Sequence, residues 1–568
     1  MTKPAPTLKE LKPHYPVLII GAGINGCGVF RDLCLQGIDC LLIDRGDICG
    51  GASAAPSRLI HGGIKYLETG EFRLVRESAI ERNRLLRNAP HFVKALETVV
   101  PVQSWLGGII PSALRFLGFN TKLSDRGALI TEIGLRIYDA FSRKVQALPD
   151  HRFFWPKKLR TEYPTFAPEI IAAGLYYEGR ITHAERLGLE LVMDGLVTNA
   201  GSSLRTYTTA KHENGGQEIA LTDLISDETH SITADVIINA AGAWIDKVNA
   251  GLGITSQHMG GSKGSHLIID HPKLVAALKG RMIYFGTADG RVNLVYPFFG
   301  HVLIGSTDIP VKDPDEAVCS SEETSYLINV ISEIFPSIAI SRDQILLSYC
   351  GVRPLPRSEG KAVGAVSRDH AIARDELPQT QVPVLSLIGG KWTTFRAFAA
   401  QSADLVLAHL GQTRRVSTEN LAIGGGRDYP KDARDQETFV HAISSDNKLS
   451  IKTTRNLFER YGTGARAVAK SLACGADQAL AALPGYSANE LAHICRTESV
   501  MRLSDILLRR TAIAMEGLLN TQVVEEVAQV AAATLGWSKV RTEAEIDLAH
   551  IEMNKRSVRS FAAKPIQI

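Results

Sequence analysis

Paired cysteines, metal-ligand motifs, long apolar runs and a surplus of either charge are all missing from this chain. Its eight cysteines, Cys27, Cys34, Cys40, Cys49, Cys319, Cys350, Cys474 and Cys495, are scattered without a C-x-x-C pair. That spacing argues against a disulfide framework and a structural zinc site, and no metal is expected. It fits small buried side chains in a reducing compartment. Lys and Arg total 63 against 60 Asp and Glu, a net charge of +3. Such balance gives no reason to expect nucleic acid as a partner. The N-terminal MTKPAPTLKELKPHYP has neither the apolar core nor the small-residue cleavage site of a signal peptide, so a cytoplasmic location is expected. No stretch qualifies as a membrane span. The nearest, Val99 to Phe119, is broken by two prolines, three glycines, Gln103 and Arg115. Its Trp, Phe and Leu content, followed by Lys122, Arg126 and Arg136, suits either a surface dipping into a bilayer interface or a segment packed on its neighbours.

With 568 residues the chain is too long for one core, and domains of roughly 100 to 200 residues imply about three units. The first sixty residues carry the strongest pattern. Val17 to Ile20 is a continuous apolar run, as in a strand buried on both faces. It feeds Gly21-Ala22-Gly23-Ile24-Asn25-Gly26, a helical stretch to Gln36, Gly37 as a stop, and a second apolar run from Cys40 to Ile43 that ends at Asp44 and Arg45. Each part has a physical role in holding a dinucleotide. Gly21 permits the tight turn, Gly23 admits a pyrophosphate to the backbone, and Gly26 lets helix and strand pack closely. The helix N-terminus offers N–H groups to phosphate, and Asp44 can accept bonds from ribose hydroxyls.

The next segment, GGASAAPSRLIHGGIKYLETGEFRLVRES, adds a second loop of small residues. Such a loop suits close passage beside a large planar cofactor, and Ser53 and Ser57 can bond phosphate or flavin edges. RLIHGGIKYLETGEFRLVRE resembles the signature of the FAD-dependent glycerol-3-phosphate dehydrogenases. Further along come Lys263-Gly264-Ser265-His266, Gly305-Ser306-Thr307-Asp308 and Ser348 to Leu355 (SYCGVRPL). Ser367-Arg368-Asp369-His370, Gly389 to Arg396 (GGKWTTFR) and the Glu498 to Thr511 motif complete the ordered likeness. Two departures stand out. Lys65 replaces the usual arginine of HGGIKY, and ASAAPSR is poorer in serine than the family loop. Arginine grips phosphate bidentately whereas lysine is a point charge, and both departures bear on the exact substrate while leaving the implied flavin chemistry intact.

The resemblance implies an α/β fold. A Rossmann-like FAD-binding domain (1–76, 155–250 and 360–415) would join a D-amino-acid-oxidase-like β-sheet substrate domain (77–154 and 251–359) and a C-terminal helical domain (420–568). It implies FAD as cofactor, oxidation of sn-glycerol 3-phosphate to dihydroxyacetone phosphate with hydride passing to flavin N5, and a quinone as electron acceptor on the cytoplasmic face of a membrane. Another polyol phosphate, such as a tetritol phosphate, and an oxygen-using oxidase stay open as alternatives, and the sequence leaves oligomeric state open, a homo-oligomer included. Lys65, Tyr66, Arg353, Arg368 and Lys391 are the implied substrate contacts. His61, Gly62, Gly63, Ala241, Gly242, Gly390, Lys391 and Thr393 join the first-turn residues as cofactor contacts.

For the base, His266 and His61 are the contenders, since imidazole accepts protons near neutral pH. A nearby cationic cluster would keep the ring neutral. His266 is taken as base and His61 as a contact to cofactor loop or substrate, while Arg353 would stabilise the developing alkoxide. Thr393 or Thr394 is expected to cap a helix running to Leu410. Glu71 to Arg87 is expected as an exposed helix, and Arg502, Arg509 and Arg510 as paired, solvated or structural arginines.

Overall fold

The computed structural model describes residues 6–64, 71–107, 127–142, 148–212, 216–287, 291–357, 369–474 and 477–556. The strand His14–Ile20 lies at the middle of a doubly wound sheet. Val17 and Ile19 point to one face, Leu18 and Ile20 to the other, and all four are buried. Apolar side chains at every position are what such a strand requires, because neither face meets water. Its parallel neighbours are Cys40–Ile43 and Thr229–Asn239. Ser203–Arg205 extends one side and Pro383–Ile388 the other, both in parallel, and Ala371–Glu376 closes the edge antiparallel. The helices Ile24–Leu35, Ala184–Thr198 and Phe395–His409 cover one face. The antiparallel strands Thr208–His212 and Ile219–Asp223 lie with the core on the other.

A second, mixed sheet runs from Ile309–Pro310 through Ser262–Ile269, His301–Gly305, Val292–Phe298, Met282–Gly286, Val93–Val102 and Ala172–Ile181 to Leu59–Ile60. Period-two alternation divides its strands between two cores. Leu267 and Ile269 pack with the helices Pro272–Leu278 and Ser321–Ser332, whereas Ile268 packs with the C-terminal helices. The expected architecture is present: Rossmann-like sheet, β-sheet substrate layer, and helical C-terminal region.

Two particulars differ from the sequence reading. Ala172–Ile181 lies in the second sheet, paired antiparallel along its whole length with Val93–Val102. An apolar strand pattern does not say which of two sheets will accept it. The helix Phe72–Asn88 is not an exposed one, since Leu74, Val75, Ser78, Ala79, Glu81, Arg82, Asn83 and Leu85 are all buried on it. Its charges are tolerated inside because they are paired: Glu81 takes both Arg396 and Arg84, and Arg82 meets Glu178.

The helical region is locked to the first sheet and its covering helix through buried carboxylates, Asp47 foremost. Asp47, just beyond the strand Cys40–Ile43, accepts from Arg509 Nε at 2.6 Å and from Arg510 Nη1 and Nη2 at 2.7 Å each. Arg510 Nε reaches the Glu498 carbonyl, and Arg186 forks onto the Glu498 carboxylate at 2.9 Å on both oxygens. Burial opposes the charged carboxylate, but the guanidinium groups of Arg510 and Arg509 outweigh it and hold Asp47 down to about 2. Arg509 and Arg510 are thus structural and paired, as expected. Removing the carboxylate takes from buried Arg510 both of its carboxylate bonds and leaves Arg509 with Asp505 alone, a loss of roughly 3–5 kcal/mol. Asp47→Ala is therefore expected to lower the denaturant midpoint strongly, and a change below about 1 kcal/mol would contradict the lock.

Candidate functional site

One cavity of about 1320 Å³ runs between the two sheets. Pockets for drug-sized ligands occupy about 300–1,000 Å³, so this one has room for a dinucleotide and a small second molecule. Its wall includes Gly21, Gly23, Asn25, Asp44, Arg45, Ser53, Ser57, His61, Gly63, Ala241, Gly242, Gly390, Lys391 and Thr393, together with His266 and Arg353. Gly26 and Gly62 stand behind the wall, for reasons given below. Lys65, Tyr66 and Arg368 lie outside the described residues.

At one end sits the glycine turn. Gly21 has φ +109°, and a Cβ on Gly26 would lie 1.9 Å from the Gly21 carbonyl oxygen, so the helix Ile24–Leu35 packs against the turn only because Gly26 has no side chain. Asp44 secures the same turn by accepting from Ala22 N and Gly46 N, both at 2.7 Å. Burial raises its pKa, with those two amides opposing the rise. Ser53 Oγ accepts from Ile24 N at 2.9 Å and so caps the helix start. Arg45 stacks over Trp244 at 4.6 Å and pairs with Asp315. The bare glycine backbone, helix N-terminus and acid fit a dinucleotide and its phosphates.

Three motifs far apart in sequence form the opposite wall. Ser262–Ile269 is flanked by His301–Gly305 and Ile345–Arg353, so His266 stands opposite Gly305 on one side and Tyr349 on the other. The His266 and Tyr349 rings stack at 4.9 Å, and His266 Nε2 meets Ser57 Oγ at 2.8 Å. His266 Nδ1 is buried without a hydrogen-bond partner among the described residues. Arg353 is held by Asp308 at 3.1 Å and by Ser306 Oγ and the Thr307 carbonyl, each at 3.0 Å. The side chains of the GSTD segment thus aim the guanidinium of the SYCGVRPL strand.

The floor is the His61-Gly62-Gly63 loop. Thr393 Oγ1 donates to the His61 carbonyl at 3.1 Å, and Glu178 Oε2 accepts from Gly62 N at 2.8 Å. A Cβ on Gly62 would lie 1.9 Å from Tyr138 Oη. Neither Thr393 nor Thr394 caps the helix Phe395–His409 through its side chain: Thr394 holds the N-cap position but makes no side-chain capping bond. The loop has claimed the Thr393 hydroxyl instead. Asn25 Nδ2 reaches the Gly389 carbonyl at 3.3 Å, joining the first helix to the Gly389-Gly390 turn, and Lys391 Nζ lies 3.4 Å from Ser78 Oγ.

The sequence reading missed several wall residues. Glu178, Tyr176, Tyr284 and Arg291 come from the second sheet or its turns, and Arg502, Ser504, Arg509 and Glu552 from the helical region. Alternation along the strands marks Tyr176 and Glu178 as one face of Ala172–Ile181, but only the sheet order shows that this face meets the loop.

Burial, with Arg353 and then Arg58 adding to it, pushes His266 down to about 3. An unfolded chain binds that proton near pH 6.5. Stability contributed by the neutral buried ring is therefore whole above about pH 6.5 and falls as pH drops toward 3, by up to about 1.4 kcal/mol per pH unit. His266→Asn should flatten the acid limb of a stability-against-pH curve over that window. Parallel limbs for the variant and the native protein would refute the neutral, buried ring.

Comparison with known proteins agrees with this geometry. The family model described as FAD dependent oxidoreductase matches residues 16–377, and the C-terminal domain of alpha-glycerophosphate oxidase matches residues 416–542. A glycerol-3-phosphate dehydrogenase of Synechocystis is 30% identical over 96% of this chain and 98% of its own length. The aerobic glycerol-3-phosphate dehydrogenase of Staphylococcus saprophyticus is 28% identical over 94% of each chain. The solved glycerol-3-phosphate dehydrogenase of Bacillus halodurans, complexed with FAD, superimposes with a TM-score of 0.74 at 20% identity over 98% of this chain and 97% of that one. With its glycine turn, its histidine-glycine loop and a family match over more than half its length, the chain is an FAD-dependent oxidoreductase and belongs to the glycerol-3-phosphate dehydrogenase family.

Proposed function

We propose that the protein oxidises sn-glycerol 3-phosphate to dihydroxyacetone phosphate. The observation that carries this reading is the meeting of Arg353, Lys391, His61 and His266 on the wall of the cavity that the glycine turn opens onto. A doubly charged phosphate calls for rigid cations, and Arg353 has the rigidity, clamped by Asp308, Ser306 and Thr307. Lys391 supplies a second cation, and Lys65, Tyr66 and Arg368 are proposed alongside it from the family motifs. Bound FAD supplies the acceptor for the hydride leaving the substrate carbon, at N5 in this proposal.

The hydroxyl proton needs a base. His266 is the weaker contender: Ser57 occupies its Nε2, its Nδ1 is buried, and its pKa near 3 makes it a poor acceptor. We assign the proton to His61, whose loop is held on both sides, and give His266 the part of a neutral wall residue. Arg353 stabilises the oxygen as it gains negative charge.

The proposal passes the electrons to a quinone at the cytoplasmic face of a membrane. Among the described residues no helix is long and apolar enough to cross one. The rings of Trp105 and Trp155 stack at 5.9 Å with 44% and 61% of each residue exposed, and Leu106 beside them is 67% exposed. An aromatic ledge of this kind supports attachment at a bilayer interface.

Anaerobic mixing tests the reading. Glycerol 3-phosphate should bleach the flavin absorbance of the purified holoenzyme, tetritol phosphates more weakly and glycerol hardly at all. His61→Asn should slow bleaching by about 10²–10⁴-fold and His266→Asn much less. Equal bleaching by unphosphorylated glycerol would remove the phosphate from the proposal, and the reverse order for the two histidines would return the base to His266.

A further inference from the structure

The His61–Gly62 peptide is gripped at both of its polar atoms. Its carbonyl accepts from Thr393 Oγ1 at 3.1 Å, and its N–H donates to Glu178 Oε2 at 2.8 Å. Holding both ends of one peptide plane restricts the ψ of His61 and the φ of Gly62 together. The direction in which the imidazole leaves the backbone is restricted with them.

Glu178 is itself over-determined. It sits on Ala172–Ile181, is 2% exposed and lines the cavity. Tyr138 Oη lies 3.1 Å from both of its carboxylate oxygens. Arg82 Nη1 approaches Oε2 at 3.4 Å, and the same guanidinium is anchored on the Tyr177 carbonyl at 3.0 Å and on Asn83 Oδ1 at 3.1 Å. Burial raises the Glu178 carboxyl above its ordinary value, and the Arg82 cation, the Gly62 amide and the Tyr138 hydroxyl oppose that rise by favouring the ionised form. Three elements, Phe72–Asn88, Ala128–Ser142 and Ala172–Ile181, thus converge on one N–H of the loop.

We propose that Glu178, with Tyr138 and Arg82 behind it, is the positioning residue for the His61 base. The proposal rests on the reading of His61 as proton acceptor in a flavin dehydrogenase. Glu178 touches no reacting atom in it; it acts through the Gly62 amide. The bond is charge-assisted, roughly twice as strong as a neutral one, and Glu178→Gln keeps an acceptor oxygen while removing the charge.

The test uses the FAD-loaded full-length protein as wild type, Glu178→Gln and Tyr138→Phe. Three quantities are read: FAD per chain, hydrogen exchange at the peptide containing Gly62, and flavin reduction across substrate concentrations. Both variants should keep their FAD. Glu178→Gln should exchange the Gly62 amide about tenfold faster and reduce flavin about tenfold more slowly at saturation, with the half-saturating concentration within about twofold of wild type. Tyr138→Phe, which removes the hydroxyl that Glu178 and Arg82 share, should move both rates in the same direction by about threefold. Unchanged Gly62 exchange with reduction within twofold of wild type would overturn the proposal. So would loss of FAD from both variants, which would make Glu178 part of the cofactor's own seat. If no polyol phosphate bleaches even the wild type, the functional reading falls, and Gly62 exchange still decides whether Glu178 holds the loop.

Discussion

Between Gly21 and Gly26 the backbone comes so close that a single added carbon on Gly26 would lie 1.9 Å from a carbonyl oxygen. This approach sets the helix Ile24–Leu35 against the strand His14–Ile20 and opens its N-terminus on the cavity. Asp44 then ties the following loop to the turn through Ala22 N, and Asp47, three residues on, receives the two arginines of the helical region. The turn that suits a pyrophosphate is thus mechanically continuous with the C-terminal third of the chain.

The interior holds several buried ion pairs. Arg58 forks onto Glu185 at 2.6 Å on each oxygen, Arg186 onto Glu498, and Arg510 onto Asp47. Replacing such pairs by apolar residues often leaves stability unchanged or improves it, whereas removing one partner is severe. What the pairs add here is placement. Arg58 pins the Ala52–Ser57 loop beside the cavity through the Ala54 carbonyl, and Glu178 pins the histidine loop.

The two histidines illustrate how surroundings divide roles between like groups. His266 is enclosed by a strand pair, stacked on Tyr349 and depressed by burial and two arginines, so it stays neutral across the physiological range. His61 rides on a loop at the cavity floor, held by bonds to its backbone. Imidazole chemistry is common to both, and both line the same cavity; what differs is how each ring is enclosed.

By itself the sequence determined the first strand–turn–helix–strand unit to within a few residues, because glycine spacing and apolar runs act locally. The strand Cys40–Ile43 and the helix end at Gly37 needed nothing distant. Motif likeness also gathered four of the ionisable wall residues: His61, His266, Arg353 and Lys391. Tertiary structure alone decided the rest, since it turns on which elements come to lie side by side. It put Ala172–Ile181 in the second sheet, gave the Thr393 hydroxyl to a loop rather than a helix cap, and carried Arg82 and Glu81 inward. Charged residues look solvated in a sequence, and their partners, here up to hundreds of positions away, become known only when the chain is folded.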